Sequence, residues 1–475
     1  MLPGQYSRLI DRLTSPAGDG RRFLWIAIAV GLFLRLAILW QTPALGTEIV
    51  DEQQYSQLGD SILAGDGLAW APGQPTSIRP PLYPALLATI WSVAGPRNLQ
   101  VVRVFQILLA LATMAVVYLL GARIYNQRTG RYAAAAVWLY PSLAFFNFLI
   151  LTETLFTFLL LTFVLLTVML VQAPRAWVAL LCGISLGFAA LTRSVLWPVP
   201  LVLCPLLAAL VRAPIARRVV LPLIVLAGYA IVVAPWAIRN TRLQGVVTFV
   251  DTMSGINLRM GNYEHTPEDR MWDAVALRGK ESWVYGLTSD QPGEPMTEGR
   301  KEKWAQRKAL EYMRQHPAIT LRRSMIKFAD FWGLEREFVA GVAQGLYTPP
   351  LWFQIVASLA IVCANVLVVT TGVAGMWLAA PEDRRMQMLL LLPIVVIVGA
   401  HTIVFGHSRY HLPLIPILAI YGAALTQVRV PALGLSPRPV RLGAILAVAA
   451  LAAIWIREVA LVEGHRIGEL LHRLS

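Results

Sequence analysis

The feature that most limits what this chain can fold into is its succession of apolar runs, each roughly twenty residues long, the length that carries a helix across the hydrocarbon of a bilayer. The first is FLWIAIAVGLFLRLAILW at residues 23–40; later ones cover 101–120, 132–150, 153–171, 176–192, 196–211, 218–237, 350–378, 387–404, 408–426 and 441–457. Inside a bilayer the backbone has no water to bond, so such runs must be helical. The expected fold is therefore an all-α polytopic membrane protein with about eleven transmembrane helices and a mixed domain outside the bilayer.

Charge gives an independent check on that count. The formal net charge of +14 would point toward nucleic acid in a soluble protein, but 57% of the residues are hydrophobic and the arginines lie in short loops between apolar runs. Those loops hold Arg123, Arg128 and Arg131, then Arg175, then Arg212, Arg217 and Arg218, then Arg384 and Arg385, then Arg429, Arg438 and Arg441. All fall on one side if LYPALLATIWSVAG (82–95), which is short for a crossing, lies instead as a helix along the outer surface. The expected partner is the bilayer, with no nucleic acid. Arg8, Arg12, Arg21 and Arg22 precede the first run, which is expected to anchor the chain with its N-terminus in the cytoplasm. Ala44-Leu45-Gly46 resembles a signal-cleavage site, but the run before it is longer than a cleaved signal requires. Cys182, Cys204 and Cys363 lie in apolar runs without metal or disulfide spacing.

The same parity puts Asp51, Glu52, Arg79, Glu153, Arg193, Arg239 and His407 at or near the outer ends of predicted helices, where a bundle can gather them into one pocket. Each has a plainer reading beside this one. Asp51 and Glu52 also suit the cap of a helix beginning near Gln53, and Glu153 suits the macrodipole of its own helix. Arg193 and Arg239 also suit the lipid–water boundary, and Arg35, inside the first run, is expected to snorkel to the outer end. His407 and His411 have i, i+4 spacing, which with an acidic partner suits a metal. Three modules follow from the pattern: 1–237, with the first outer loop at 41–100; a large outer segment at 238–349; and 350–475. Within the outer segment, helical periodicity predicts a helix over Glu298 to Gln315, and Ala318 to Trp332 reads as an amphipathic interfacial helix.

Taken in order, the motifs are VDEQQY after the first run, RPPLYP, TETLF, LTRS, PWAIRN, SGINLRMGN and SRYHLPLIP. In that order and on that side, the chain resembles the GT-C glycosyltransferases of the family 39 type, which include lipid A aminoarabinose transferases, protein mannosyltransferases and rhizobial galacturonosyltransferases. The resemblance implies transfer of a sugar, with inversion, from a polyprenyl-phosphate carrier to a glycolipid, glycan or protein acceptor at the outer face of the cytoplasmic membrane. It implies catalytic roles for Asp51, as a base or orienting group toward the acceptor, and for Glu52, as a second acid, a metal ligand or a hydrogen bonder to the loop. It implies substrate contacts for Arg79, Tyr83, Glu153, Arg193, Arg239, Asn240, Asn257, Asn262, Arg409 and Tyr410, the arginines facing the carrier phosphate. Glu153 and His407 are the candidate ligands of a divalent cation; no other cofactor is expected. The alternatives are a transporter or flippase of a lipid-linked glycan, for which Pro198, Pro200, Pro205, Pro393, Pro413 and Pro416 leave room, and a non-catalytic scaffold of envelope assembly.

Overall fold

A computed structural model describes residues 20–43, 45–268, 271–293, 295–428 and 437–462. Arg8, Arg12, Ala44 and Arg429 lie outside the described residues. In chain order the helices are α1 (Arg21–Gln41), α2 (Val50–Leu63), α3 (Leu82–Ala94), α4 (Leu99–Ile124), α5 (Gln127–Leu139), α6 (Pro141–Phe145), α7 (Glu153–Gln172), α8 (Ala176–Thr192), α9 (Val199–Leu210) and α10 (Ile215–Gln244). They continue with α11 (Ser254–Met260), α12 (Leu287–Asp290), α13 (Glu298–Gln315), α14 (Pro317–Phe331), α15 (Glu337–Ala343), α16 (Leu351–Leu378), α17 (Arg384–Ile403), α18 (Ile415–Leu425) and α19 (Arg438–Arg457). A 3₁₀ turn, Ser408–Leu414, precedes α18.

Every predicted apolar run contains helix, and among the described residues seven helices are long and apolar enough to cross a membrane: α1, α4, α7, α10, α16, α17 and α19. Two predicted spans are interrupted, each at proline. The run 132–150 stops at Tyr140 before Pro141, and the run 408–426 begins as the 3₁₀ turn containing Pro413. The core lies around α7, most of whose surface is buried, whereas α1, α16 and α19 expose much of theirs. Helices α8 and α10 touch through small residues: a Cβ on Gly183 would lie 2.0 Å from the Val225 carbonyl oxygen, so any larger residue there separates the pair.

After α6 the chain runs non-helical from Phe146 to Thr152, buried among helices. Its backbone groups are met by side chains, as burial away from water requires. Gln106 donates to the carbonyls of Asn147 and Leu149, Arg103 donates to that of Phe148, and Glu52 accepts from the amide of Ile150. This segment delivers Glu153 to the end of α7.

The segment 238–349, expected to be a mixed outer domain, is built of helices and irregular connections, with no strand among its described residues. Helix α13 has the predicted limits, with Thr297 as its N-cap, and α14 opens on Pro317, where a proline is tolerated in the first turn.

Candidate functional site

Five charged side chains from four separate parts of the chain form one line. Arg79 Nη2 lies 2.5 Å from Asp51 Oδ1, and the other Asp51 oxygen lies 3.5 Å from Arg409 Nη1. Arg409 then bonds Glu153 Oε1 through Nε, and Arg193 Nη2 reaches the same oxygen at 3.5 Å. The order is Arg79, Asp51, Arg409, Glu153, Arg193, with signs alternating throughout, so three guanidiniums face two carboxylates.

Each member is placed by a local feature of its own. Asp51 lies in the first turn of α2, where a carboxylate is favoured, and Gln54, three residues on along the same face, accepts from Arg79 at 2.9 and 2.6 Å. Arg79 is carried by a loop whose backbone is held from outside. Arg239 donates to the Thr76 and Leu68 carbonyls and to Ser77 Oγ, and Glu298, at the start of α13, accepts from Thr76 Oγ1 and the Ser77 amide. Glu153 opens α7 and is 1% exposed. Arg193 follows the last turn of α8, with its guanidinium over the rings of Phe156 and Tyr410. Arg409 enters the 3₁₀ turn after His407, whose Nδ1 accepts the Arg409 amide.

Burial opposes charge at these positions, and the neighbours decide the outcome. Burial raises the Asp51 carboxyl, but Arg79 and Arg409 outweigh it and hold it below the usual carboxylate range. Burial likewise works against the Arg409 charge, and Glu153 and Asp51 reverse that, so Arg409 is held firmly protonated. Asp51 is thus an ionised, paired carboxylate. That suits it better to orienting a nucleophile than to taking a proton from a weak acid.

Of the residues singled out in the sequence, Asp51, Arg79, Glu153, Arg193 and Arg409 come together, and Tyr410 lies under Arg193 while stacking on His401 with centroids 4.1 Å apart. The others lie outside the line. Glu52, expected to be catalytic, is 1% exposed, and its carboxylate accepts from the amides of Glu48, Ile49 and Ile150, which makes it a clamp between the first loop and the segment before α7. Burial raises its carboxyl despite those three amides. Tyr83 donates to Gln106. Asn240 joins Ser77, Arg239 and the Val250 carbonyl, so it and Arg239 hold the loop bearing Arg79. Asn262 accepts from buried Lys327, and Asn257 keeps a buried Oδ1 outside the line.

The expected cation pair is not assembled. Glu153 Oε1 is taken by two arginines, and His407 Nε2 is 3.5 Å from Glu337 instead. Among the described residues no three His, Cys, Asp or Glu side chains gather where they could hold a metal, so the donor set here does not fit a cation. Arg35 does not snorkel: it is 2% exposed, donates to Asn147 Oδ1 and the Gly31 carbonyl, and lies 3.9 Å over the Trp138 ring. Sequence reading missed Asp251, which bonds Ser194 beside Arg193, is felt by Arg79, and has its carboxyl raised by burial. Its signal is a lone acid in the apolar stretch TFVDTM.

Comparison with known proteins agrees with this architecture. Residues 78–238, about a third of the chain, match the family model described as dolichyl-phosphate-mannose-protein mannosyltransferase; the matched stretch contains Arg79, Glu153 and Arg193. No curated protein sequence matches the chain. Among solved structures, the apo oligosaccharyltransferase of Archaeoglobus fulgidus superposes with a TM-score of 0.51 at 16% identity, covering 92% of this chain and 55% of that one. The same enzyme in complex with Zn and sulfate gives 0.49 at 14% identity, over 91% of this chain and 52% of that one. ArnT from Cupriavidus metallidurans bound to undecaprenyl phosphate gives 0.42 at 12% identity, over 84% and 77%. The chain thus spans about half the length of the archaeal protein whose fold it shares. It is a polytopic membrane protein with the fold of the archaeal oligosaccharyltransferase, and its residues 78–238 are similar to the dolichyl-phosphate-mannose-protein mannosyltransferase family.

Proposed function

We propose that the chain transfers a sugar from a polyprenyl-phosphate carrier to a glycolipid, glycan or protein acceptor, with inversion, at the outer face of the cytoplasmic membrane. One observation carries the reading: Arg79, Arg409 and Arg193 converge on two carboxylates, Asp51 in the first turn of α2 and Glu153 at the start of the membrane helix α7, leaving one positive charge in excess. A sugar phosphodiester of a lipid carries one negative charge, and its carrier departs as a phosphate monoester, so the transition state gains negative charge at the phosphate. Guanidiniums held in place before the reaction stabilise that charge without reorganising. Asp51 stands between two of the arginines and orients the acceptor's hydroxyl or amine toward the anomeric carbon; one carboxylate suffices for a single displacement. The family description of residues 78–238 supports a polyprenyl-phosphate donor, and positive loops on the opposite side support the orientation.

The test is transfer itself. Purified protein is incubated with radiolabelled polyprenyl-phosphate sugars and an envelope extract, and label is followed onto lipid, glycan and protein fractions. Label should reach one fraction from one donor. Labelled donors that all remain intact with every fraction supplied would overturn the reading.

A further inference from the structure

The first span carries one ionisable residue, and the structure shows where it leads. An arginine inside a bilayer is costly and needs a partner. Arg35 has Asn147, the Gly31 carbonyl and the face of Trp138, and it also lines a cavity of about 20 Å³. The cavity is shared with Thr113, Asn147, Thr157 and Glu153, the central carboxylate of the charged line. Glu153 Oε1 is engaged by Arg409 and Arg193, while Glu153 Oε2 and Thr157 Oγ1 are buried without a protein partner, one helical turn apart on α7. A cavity needs about 10–15 Å³ and two to four polar neighbours to hold a water molecule; this one has both the volume and the groups.

We propose that the cavity is a hydration site through which Arg35 acts on the far oxygen of Glu153, making Arg35 a positioning residue for the arginines that face the carrier phosphate. The inference rests on the transferase reading given above. Its chemistry follows from charge. The five-member line is one positive charge in excess, matching the singly charged donor diester; Arg35 adds a second, matching the additional charge on the departing monoester. Glu153, linked to Arg35 on one side and to Arg409 and Arg193 on the other, transmits that charge without Arg35 touching the substrate. Thr157 supplies the hydroxyl that fixes the water on the α7 side.

The test compares binding of farnesyl phosphate with that of its methyl ester by the full-length protein in detergent. A merely structural role for Arg35 would weaken both ligands alike. The proposal expects wild type to prefer the monoester, and Arg35→Met to lose about tenfold of that preference, which corresponds to about 1.4 kcal/mol. Thr157→Val keeps the shape of the site and removes only the hydroxyl; it should lose about threefold, on the order of half that energy. If Arg35→Met does not fold, Thr157→Val decides. Wild-type preference retained in the folded variants overturns the proposal. If wild type binds neither ligand, the transferase reading itself fails.

Discussion

Replacing Glu153 by glutamine tests the charged line at its least exposed member. The substitution keeps the shape of the side chain and removes the charge that two arginines share. At an effective dielectric of about 20, unit charges 3.5 Å apart attract by about 5 kcal/mol, so the Arg193 contact alone is large and the closer Arg409 contact adds to it. Glutamine is easier to bury than glutamate, which returns part of this, and measured costs of breaking buried pairs are about 3–5 kcal/mol. Glu153→Gln should fall in that range because it leaves Arg193 without its carboxylate and Arg409 with Asp51 alone, around a side chain that is 1% exposed. The readout is the thermal midpoint in detergent at a fixed scan rate, since unfolding of such proteins is often irreversible, with donor binding measured on the folded fraction. The midpoint should drop by about 3–5 °C, donor binding should weaken, and removing Arg409 from the Glu153→Gln variant should cost less than removing it from wild type. A variant that melts within about 1 °C of wild type and binds donor normally would refute the idea that Glu153 organises the arginines.

Other outcomes follow from the same geometry. Asp51→Asn and Arg79→Gln should not add: the second change should cost much less than the first in donor turnover, because Asp51 and Arg79 are bonded at 2.5 Å, and additive losses would contradict that pairing. Glu52→Gln should lower the thermal midpoint by turning one of the two accepting oxygens into a donor, which leaves at least one of the three amides without its acceptor at about 1–3 kcal/mol, while reducing turnover less than Asp51→Asn does; the reverse order would favour a catalytic role for Glu52. Lys327 is fully buried, bonded to Asn262 and the Ile403 carbonyl, and burial, with Arg323 nearby, lowers its ammonium to about 7. The unfolded chain, with an ordinary lysine near 10.4, therefore binds more protons between the two values, and stability should rise with pH from about 7 to about 10 by up to about 1.4 kcal/mol per unit. Lys327→Met should flatten that rise in pH-dependent melts; an unchanged slope would contradict a buried, largely neutral lysine.

Glu153, Arg193 and Arg409 were legible because charge is rare at the ends of apolar runs, and Asp51 and Arg79 because they stand in the polar loop that follows the first run. Their partners were less so. Glu52 and Asp51 are adjacent on a helix, about 100° apart, so one can face the line while the other turns to the backbone, and nothing in the pair says which. Arg239 bonds mainly to main-chain carbonyls, which leave no trace in side-chain spacing. Arg35 was misplaced for a different reason: its partner Asn147 exists as a partner only because the run 132–150 breaks at Pro141 and returns as irregular chain, whereas hydropathy reads it as one continuous span. Within 238–349, α13 was legible by periodicity, but how that helix grips the loop of Arg79 through Glu298 depends on contacts more than two hundred residues apart.

The most direct test of the account follows single-turnover loss of sugar from a radiolabelled polyprenyl-phosphate donor with wild type, Asp51→Asn and Arg409→Gln, all confirmed as folded. The charged line predicts that wild type consumes one donor, that Asp51→Asn binds it but turns it over at least about a hundredfold more slowly, and that Arg409→Gln loses binding and turnover together. If all three proteins leave every donor intact while wild type moves labelled lipid across vesicles, the line serves transport, and the transferase account is wrong.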